Sequence, residues 1–210
     1  DTADEIFSSE VDILTGGNHI WDKREVLEWI SSETRLIRPA NYPPGTPGKG
    51  FVIMEMDKNI KVAVINLSGR VFMPPLDCPF QTIDAVLKKI GNEADFILVD
   101  FHAEATSEKV AFGYYTDGRV SAVVGTHTHI QTADARILPG GTAYISDVGM
   151  TGTYESVLGI KKELAISSFL TQLPQRFEVA KGHAQLNAVL IEFDLRTGKT
   201  KFIENLYEME

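Results

Sequence analysis

Four of the five histidines sit in three comparable contexts. Asn18-His19 follows Gly16-Gly17 at the end of an apolar run at 11–14. His102 closes Asp100-Phe101-His102, directly after the apolar run at 96–99. His127 and His129 frame Thr128 in Gly125-Thr126-His127-Thr128-His129, after the run at 122–124. Neutral imidazole is the commonest nitrogen ligand for divalent transition ions, and an Asn side-chain oxygen is a harder ligand suited to a site that also takes carboxylate and water. A structural zinc site would use several cysteines, and Cys78 is the only one. Asn18, His102, His127 and His129 are therefore candidate metal ligands at a site open to water and substrate, with His19 adjacent as a candidate catalytic group. In extended backbone a His-x-His pair points both rings the same way, so His127 and His129 are expected to share a face. His183 in Lys181-Gly182-His183 reads as a turn residue and is set aside.

Histidines this far apart in sequence need a scaffold that gathers them. The near-continuous apolar runs at 96–99, 122–124 and 142–145 read as strands covered on both faces. Helical spacing at 21–30 and 82–90 separates such runs, so the chain is expected to be α/β. Residues 1–12 read as the back of a helix running into a strand. Runs at 51–56 and 61–67 around Asp57-Lys58-Asn59 predict a hairpin. Residues 41–48 and 73–80 are proline-rich loops. The alternating segment at 176–207, with a turn at Arg196-Thr197-Gly198-Lys199, predicts an antiparallel hairpin closing the sheet. In an open α/β sheet ligands bind beyond the carboxyl ends of the strands, which is where all three histidine contexts fall. Gly16, Gly17 and Gly125 precede them and permit close backbone approach. Asp100 is a candidate partner for the second ring nitrogen of a ligating histidine. Thr106 or Ser107 is expected to cap a helix after His102. The loop Gly149-Met150-Thr151-Gly152 and the cations Lys23, Arg38 and Arg70 are candidate substrate contacts, while Trp21 and Phe101 read as core.

The bulk numbers narrow the class. A chain of 210 residues with 43% hydrophobic content is expected to be one domain, 1–210. A net charge of -9 argues against coating duplex nucleic acid, although a small anionic substrate is compatible with a bound metal that inverts the local field. The single cysteine favours a reducing compartment, so the location is expected to be cytoplasmic. No apolar run approaches the length of a membrane span, and no membrane contact is expected. A homo-oligomer is allowed.

The motifs also resemble a known family. Gly17-Asn18-His19, the isolated His102 and Gly125-Thr126-His127-Thr128-His129 resemble the later motifs of calcineurin-like metallophosphoesterases. Gly16 to Lys23, Arg38-Pro39-Ala40-Asn41, Asp100 to Lys109, Val124 to Asp134 and Asp147 to Gly152 resemble the bacterial YmdB-like phosphodiesterases, over nearly the whole chain. The resemblance implies a four-layer α/β/β/α sandwich and a binuclear centre of two divalent transition-metal ions, iron or manganese rather than zinc. It implies hydrolysis of small phosphodiesters, with 2′,3′-cyclic nucleotides favoured. By position Asn18, His102 and His127 would hold one ion, His129 would reach the other, and His19 would protonate the leaving oxygen. The family pattern also has an earlier strand carrying Asp near a glycine turn, and a second carrying a bridging Glu followed by Asn. This sequence contains neither, so an additional N-terminal βαβ segment is expected in the natural protein. The competing readings are a non-catalytic metal- or nucleotide-binding regulatory module, and a mononuclear three-histidine hydrolase that leaves Asn18-His19 unexplained.

Overall fold

The computed structural model describes residues 2–56 and 59–210. Its elements run α1 (Thr2–Ser8), β1 (Leu14–Thr15), α2 (Glu25–Trp29), β2 (Leu36–Ile37), β3 (Phe51–Met56), β4 (Ile60–Ser68), α3 (Pro79–Ile90), β5 (Phe96–His102), α4 (Thr106–Thr116), β6 (Ala122–Thr126), β7 (Arg136–Ile137), β8 (Ala143–Ile145), β9 (Gly152–Thr153), α5 (Lys162–Thr171), β10 (Ala184–Phe193) and β11 (Thr200–Met209). The result is a mixed α/β fold around a six-stranded sheet of order β3-β4-β5-β6-β8-β7. Strands β4, β5, β6 and β8 are mutually parallel, and β3 and β7 flank them antiparallel.

Period-two alternation sorts the central strands. Ala63, Ile65, Leu67, Val99, Phe101 and Val123 face α3 and α4 and build the main core with Ile83, Val86, Ile90 and Phe112. The Phe101 and Phe112 rings stack with centroids 4.2 Å apart, fixing α4 on the sheet. Burial of side chains of this size contributes roughly 1.5–3 kcal/mol each. The alternate residues of β5, Leu98, Asp100 and His102, therefore point to the opposite face. There the second, three-stranded sheet β11-β10-β9 covers them in part. Phe193 stacks on Phe96 at 4.8 Å, and Val189 and Ile191 meet Leu98, Ala122 and Val124 across an apolar cleft of about 400 Å³. The outer side of β10 presents Leu186 and Leu190, 44% and 45% exposed, which the described residues leave uncovered.

Several sequence expectations change. The predicted C-terminal hairpin forms, but it does not close the main sheet. It pairs with Gly152–Thr153 to make the separate sheet, because alternation specifies a strand with one buried face and not which sheet it joins. The strand expected at 11–14 is reduced to Leu14–Thr15, which pairs in parallel with Leu36–Ile37 as a two-stranded sheet. The helix expected over 21–30 is the short Glu25–Trp29. The helix expected from 82 starts at Pro79, the first helical position where a missing N–H costs nothing. The cap of α4 is Ala105, with no side-chain cap bond, so neither Thr106 nor Ser107 serves that role. The hairpin turn residues at 57 and 58 lie outside the described residues, while Asn59 takes a left-handed φ of 63°. No described helix is long and apolar enough to cross a membrane.

Candidate metal centre

Parallel pairing places Ser68 opposite His102 and His102 opposite Thr126, so β4, β5 and β6 end at one level. The Gly16-Gly17 turn after β1 comes down onto this edge. Asn66 on β4 secures it: its Oδ1 accepts the Gly17 N–H at 3.4 Å, and its Nδ2 donates to Asp100 Oδ2 at 3.0 Å. Gly17 has a φ of 65°, and a Cβ there would stand 2.7 Å from the His102 ring. Only glycine suits both the backbone and the contact. Gly125 is equally constrained, since a Cβ would fall 1.7 Å from the Ser146 carbonyl oxygen.

Three of the candidate ligands meet at this edge. Asn18 Oδ1 lies 2.6 Å from His102 Nε2, and His127 Nδ1 lies 3.1 Å from the same nitrogen. Hydrogen bonding assigns the ring protons. Thr126 Oγ1 donates to Asp100 Oδ1 at 2.7 Å, so its free lone pair receives the Nδ1–H of His102 at 2.9 Å. His102 Nε2 is then a bare lone pair. On His127 the Nε2–H faces Glu104 Oε2 at 3.2 Å, which leaves Nδ1 bare. In these tautomers an amide oxygen and two imidazole lone pairs converge without a donor among them. This acceptor cluster fits a bound divalent cation, and each ring is oriented by an oxygen partner as ligating histidines usually are.

The electrostatics agree. Burial, reinforced by the charges of His127 and Lys109, pushes the His102 imidazole down to about 4. Burial also lowers His127, outweighing the opposing pull of Glu104. Both rings are neutral at neutral pH, the form that ligates metals. Burial raises the Asp100 carboxyl, against the hydrogen bonds from Thr126 and Thr15.

The other two candidates stand apart from the cluster. His19 is exposed, with Nδ1 held 2.9 Å from Asp22 Oδ2, and its charge is felt at His102. The extended backbone expected to put His127 and His129 on one face is absent. Strand β6 ends at Thr126, and the next histidines take φ values of 101° and 67°, so the extended geometry assumed for His-x-His is lost. His129 is exposed beside the site and close enough to act on the His127 charge. Among the described residues no three His, Cys, Asp or Glu side chains gather as a metal group, and it is Asn18 that completes the triplet. Arg38 is committed elsewhere, donating to the carbonyl oxygens of Pro47, Pro39 and Thr46, and Arg70 Nη2 contacts Cys78 Sγ at 3.3 Å. The residues that sequence reasoning missed are Asp22, Asn66, Glu104 and Thr126. An acid three residues after His19 and another two after His102 were visible signals. Thr126 and Asn66 become partners only through cross-strand register.

Comparison with known proteins follows the same lines. The model of a family described as "YmdB-like protein" matches residues 1–206. A Bacillus subtilis protein named 2′,3′-cyclic-nucleotide 2′-phosphodiesterase is 53% identical over 201 residues, 96% of this chain and 76% of that protein. A crystal structure of a hypothetical protein from Thermus thermophilus superposes with a TM-score of 0.91 at 46% identity, covering 97% of this chain and 78% of the other. A crystal structure described as a novel phosphatase from Mycoplasma pneumoniae gives 0.90 at 36% identity, covering 100% and 76%.

Proposed function

Because this chain belongs to the YmdB-like family, we propose that it is a metal-dependent phosphodiesterase acting on small phosphodiesters, with 2′,3′-cyclic nucleotides as the favoured class. The observation that carries the reading is the donor-free convergence of Asn18 Oδ1, His102 Nε2 and His127 Nδ1. These three atoms would hold one divalent ion, and His129 would reach a second. When bound, such ions supply positive charge to phosphoryl oxygens and make water a nucleophile at neutral pH; iron or manganese suits this mixed nitrogen and oxygen set.

The chain's own groups divide the remaining work. Asp100, through Thr126, keeps the His102 proton on Nδ1 and the Nε2 lone pair turned into the site. Glu104 does the same for His127 from the solvent side. Asp22 accepts the His19 Nδ1–H, so that in the imidazolium form the Nε2–H is the group turned outward, available for transfer to the departing ribose oxygen. General acid catalysis of this kind contributes about 10²–10⁴-fold.

The test is turnover of 2′,3′-cyclic AMP by the protein with Mn²⁺ or Fe²⁺, and by His19→Ala. A loss of about 10²–10⁴-fold in the variant, with Mn²⁺ binding unchanged, is expected. Full activity in His19→Ala removes its role, and no turnover with either ion removes the enzymatic reading. In that event the regulatory-module reading stands, because Asn18, His102 and His127 still form a cluster able to hold an ion.

A further inference from the structure

The buried pair Lys109–Asp147 lies outside the ligand cluster, and the reading above assigns it no role. Lys109 Nζ meets Asp147 Oδ2 at 2.8 Å, with the two side chains only 3% and 1% exposed. Buried ion pairs are poor sources of net stability, since desolvating two charges offsets most of their attraction. What Asp147 holds is more informative. The same Oδ2 accepts the Thr128 backbone N–H at 2.9 Å and the Thr128 hydroxyl at 2.7 Å, while Oδ1 accepts the Gly149 N–H at 2.9 Å. Thr128 is the residue between His127 and His129. Both neighbours have positive φ, 101° and 67°, a backbone state that non-glycine residues keep only where the surroundings over-determine it.

The pair also joins the right elements. Lys109 belongs to the first turns of α4, the helix that follows His102 and Glu104. Asp147 follows β8, and its backbone is bonded to Thr132 on the far side of the histidine loop. A single carboxylate therefore ties the loop after β6 to the helix after β5.

We propose that Asp147, anchored by Lys109, is a positioning residue that grips Thr128 and so holds His127 and His129 in their positive-φ backbone, turning His127 Nδ1 into the ligand cluster and leaving His129 on the exposed side. The proposal rests on the metal-centre reading. It accounts for the positive φ of both histidines, which an extended His-x-His segment would not have.

The test uses the near-isosteric Thr128→Val, which removes one bond to Asp147 and leaves the buried ion pair intact, with Thr128→Ser as the conservative control. Three quantities are measured: Mn²⁺ affinity by titration of the metal-free protein, melting temperature without metal, and the His127 imidazole tautomer by NMR without metal. Thr128→Val is expected to weaken Mn²⁺ binding about 10–100-fold, as loss of outer-sphere support usually does, and to alter the His127 signals. Its metal-free melting temperature falls only by the few degrees that one lost donor to a buried carboxylate explains, and Thr128→Ser behaves as wild type throughout. Unchanged affinity and unchanged His127 signals in Thr128→Val overturn the proposal. So does an equal loss in Thr128→Ser, which marks a general packing effect. If the wild-type protein takes up no Mn²⁺, the metal-centre reading fails, and the metal-free His127 signals alone decide whether the grip exists.

Discussion

His102 Nε2 and Asn18 Oδ1 face each other at 2.6 Å. The Thr126 hydroxyl fixes this arrangement, because donating to Asp100 obliges it to receive the His102 Nδ1–H. With the His102 proton on Nδ1, two lone pairs face each other at that separation, and a cation coordinated by both would remove their repulsion. The carboxyl ends of β4, β5 and β6 hold these atoms together, and a bound ion would relieve the contact.

Metal binding should therefore stabilise the protein strongly. At a free Mn²⁺ concentration 100 times the dissociation constant, the gain is about 2.7 kcal/mol. Calorimetric melts with Mn²⁺ and with a chelator should differ by several degrees, and Asn18→Ala should shrink that difference while costing the metal-free protein little. An equal metal-dependent shift in wild type and Asn18→Ala would falsify the assignment of Asn18 as a ligand.

The glycines give a steric test. Gly17→Ala places a methyl against the His102 ring in a backbone conformation at φ 65°. It should cost roughly 1–3 kcal/mol and displace His102, so both stability and Mn²⁺ affinity fall. Gly125→Ala meets the Ser146 carbonyl, a rigid backbone atom, at 1.7 Å. That variant should lose more stability than Gly17→Ala, with a larger drop in urea midpoint. A reversed order contradicts the packing described here.

The legibility of the site follows the range of the forces that make it. Asn18, His102 and His127 were readable because each directly follows a buried strand, and parallel strands carry their successors to a common edge. The positive φ at His127 and His129 was not readable, since the Asp147 bond to the Thr128 between them comes from beyond the next strand. Nor was Thr126, whose role exists only because register sets it opposite His102. The same limit applies to the fold. Alternation in β10 and β11 announced a half-buried hairpin, but its pairing with Gly152–Thr153 instead of the main sheet is a long-range choice.

Acid should weaken the metal-free protein in a defined window. The His102 imidazole, at about 4 in the folded protein and near 6.5 when unfolded, binds its proton first in the unfolded chain. Its contribution is thus fully present above pH 6.5 and is lost as pH falls toward 4, on the order of 3 kcal/mol at most. Asp100, raised by burial, contributes with the opposite sign, so the comparison must isolate His102. Urea unfolding at pH 7, 5.5 and 4 should show the fall in wild type and a flatter profile in His102→Gln. Parallel profiles would assign the acid sensitivity to other groups.

Thr126 offers the most direct separation of folding from ligand geometry. Thr126→Val keeps the side-chain shape on β6 but removes the hydroxyl that links Asp100 to His102. Asp100 loses a donor while remaining buried, a penalty of about 1–3 kcal/mol. Asn66 Nδ2 still donates to Asp100 Oδ2, so the carboxyl keeps a partner and the protein should remain folded. His102 loses the acceptor that holds its proton on Nδ1. The ring is then free to place that proton on Nε2 and donate to Asn18 Oδ1, which turns a repulsive pair into a hydrogen bond that competes with metal. Mn²⁺ affinity should fall about 10–100-fold, and the metal-free His102 should show the Nε2–H tautomer in its NMR signals. Thr126→Ser retains the hydroxyl and should restore both properties. If Thr126→Val keeps the Nδ1–H tautomer and wild-type affinity, the ring is oriented by something other than the Asp100–Thr126 pair.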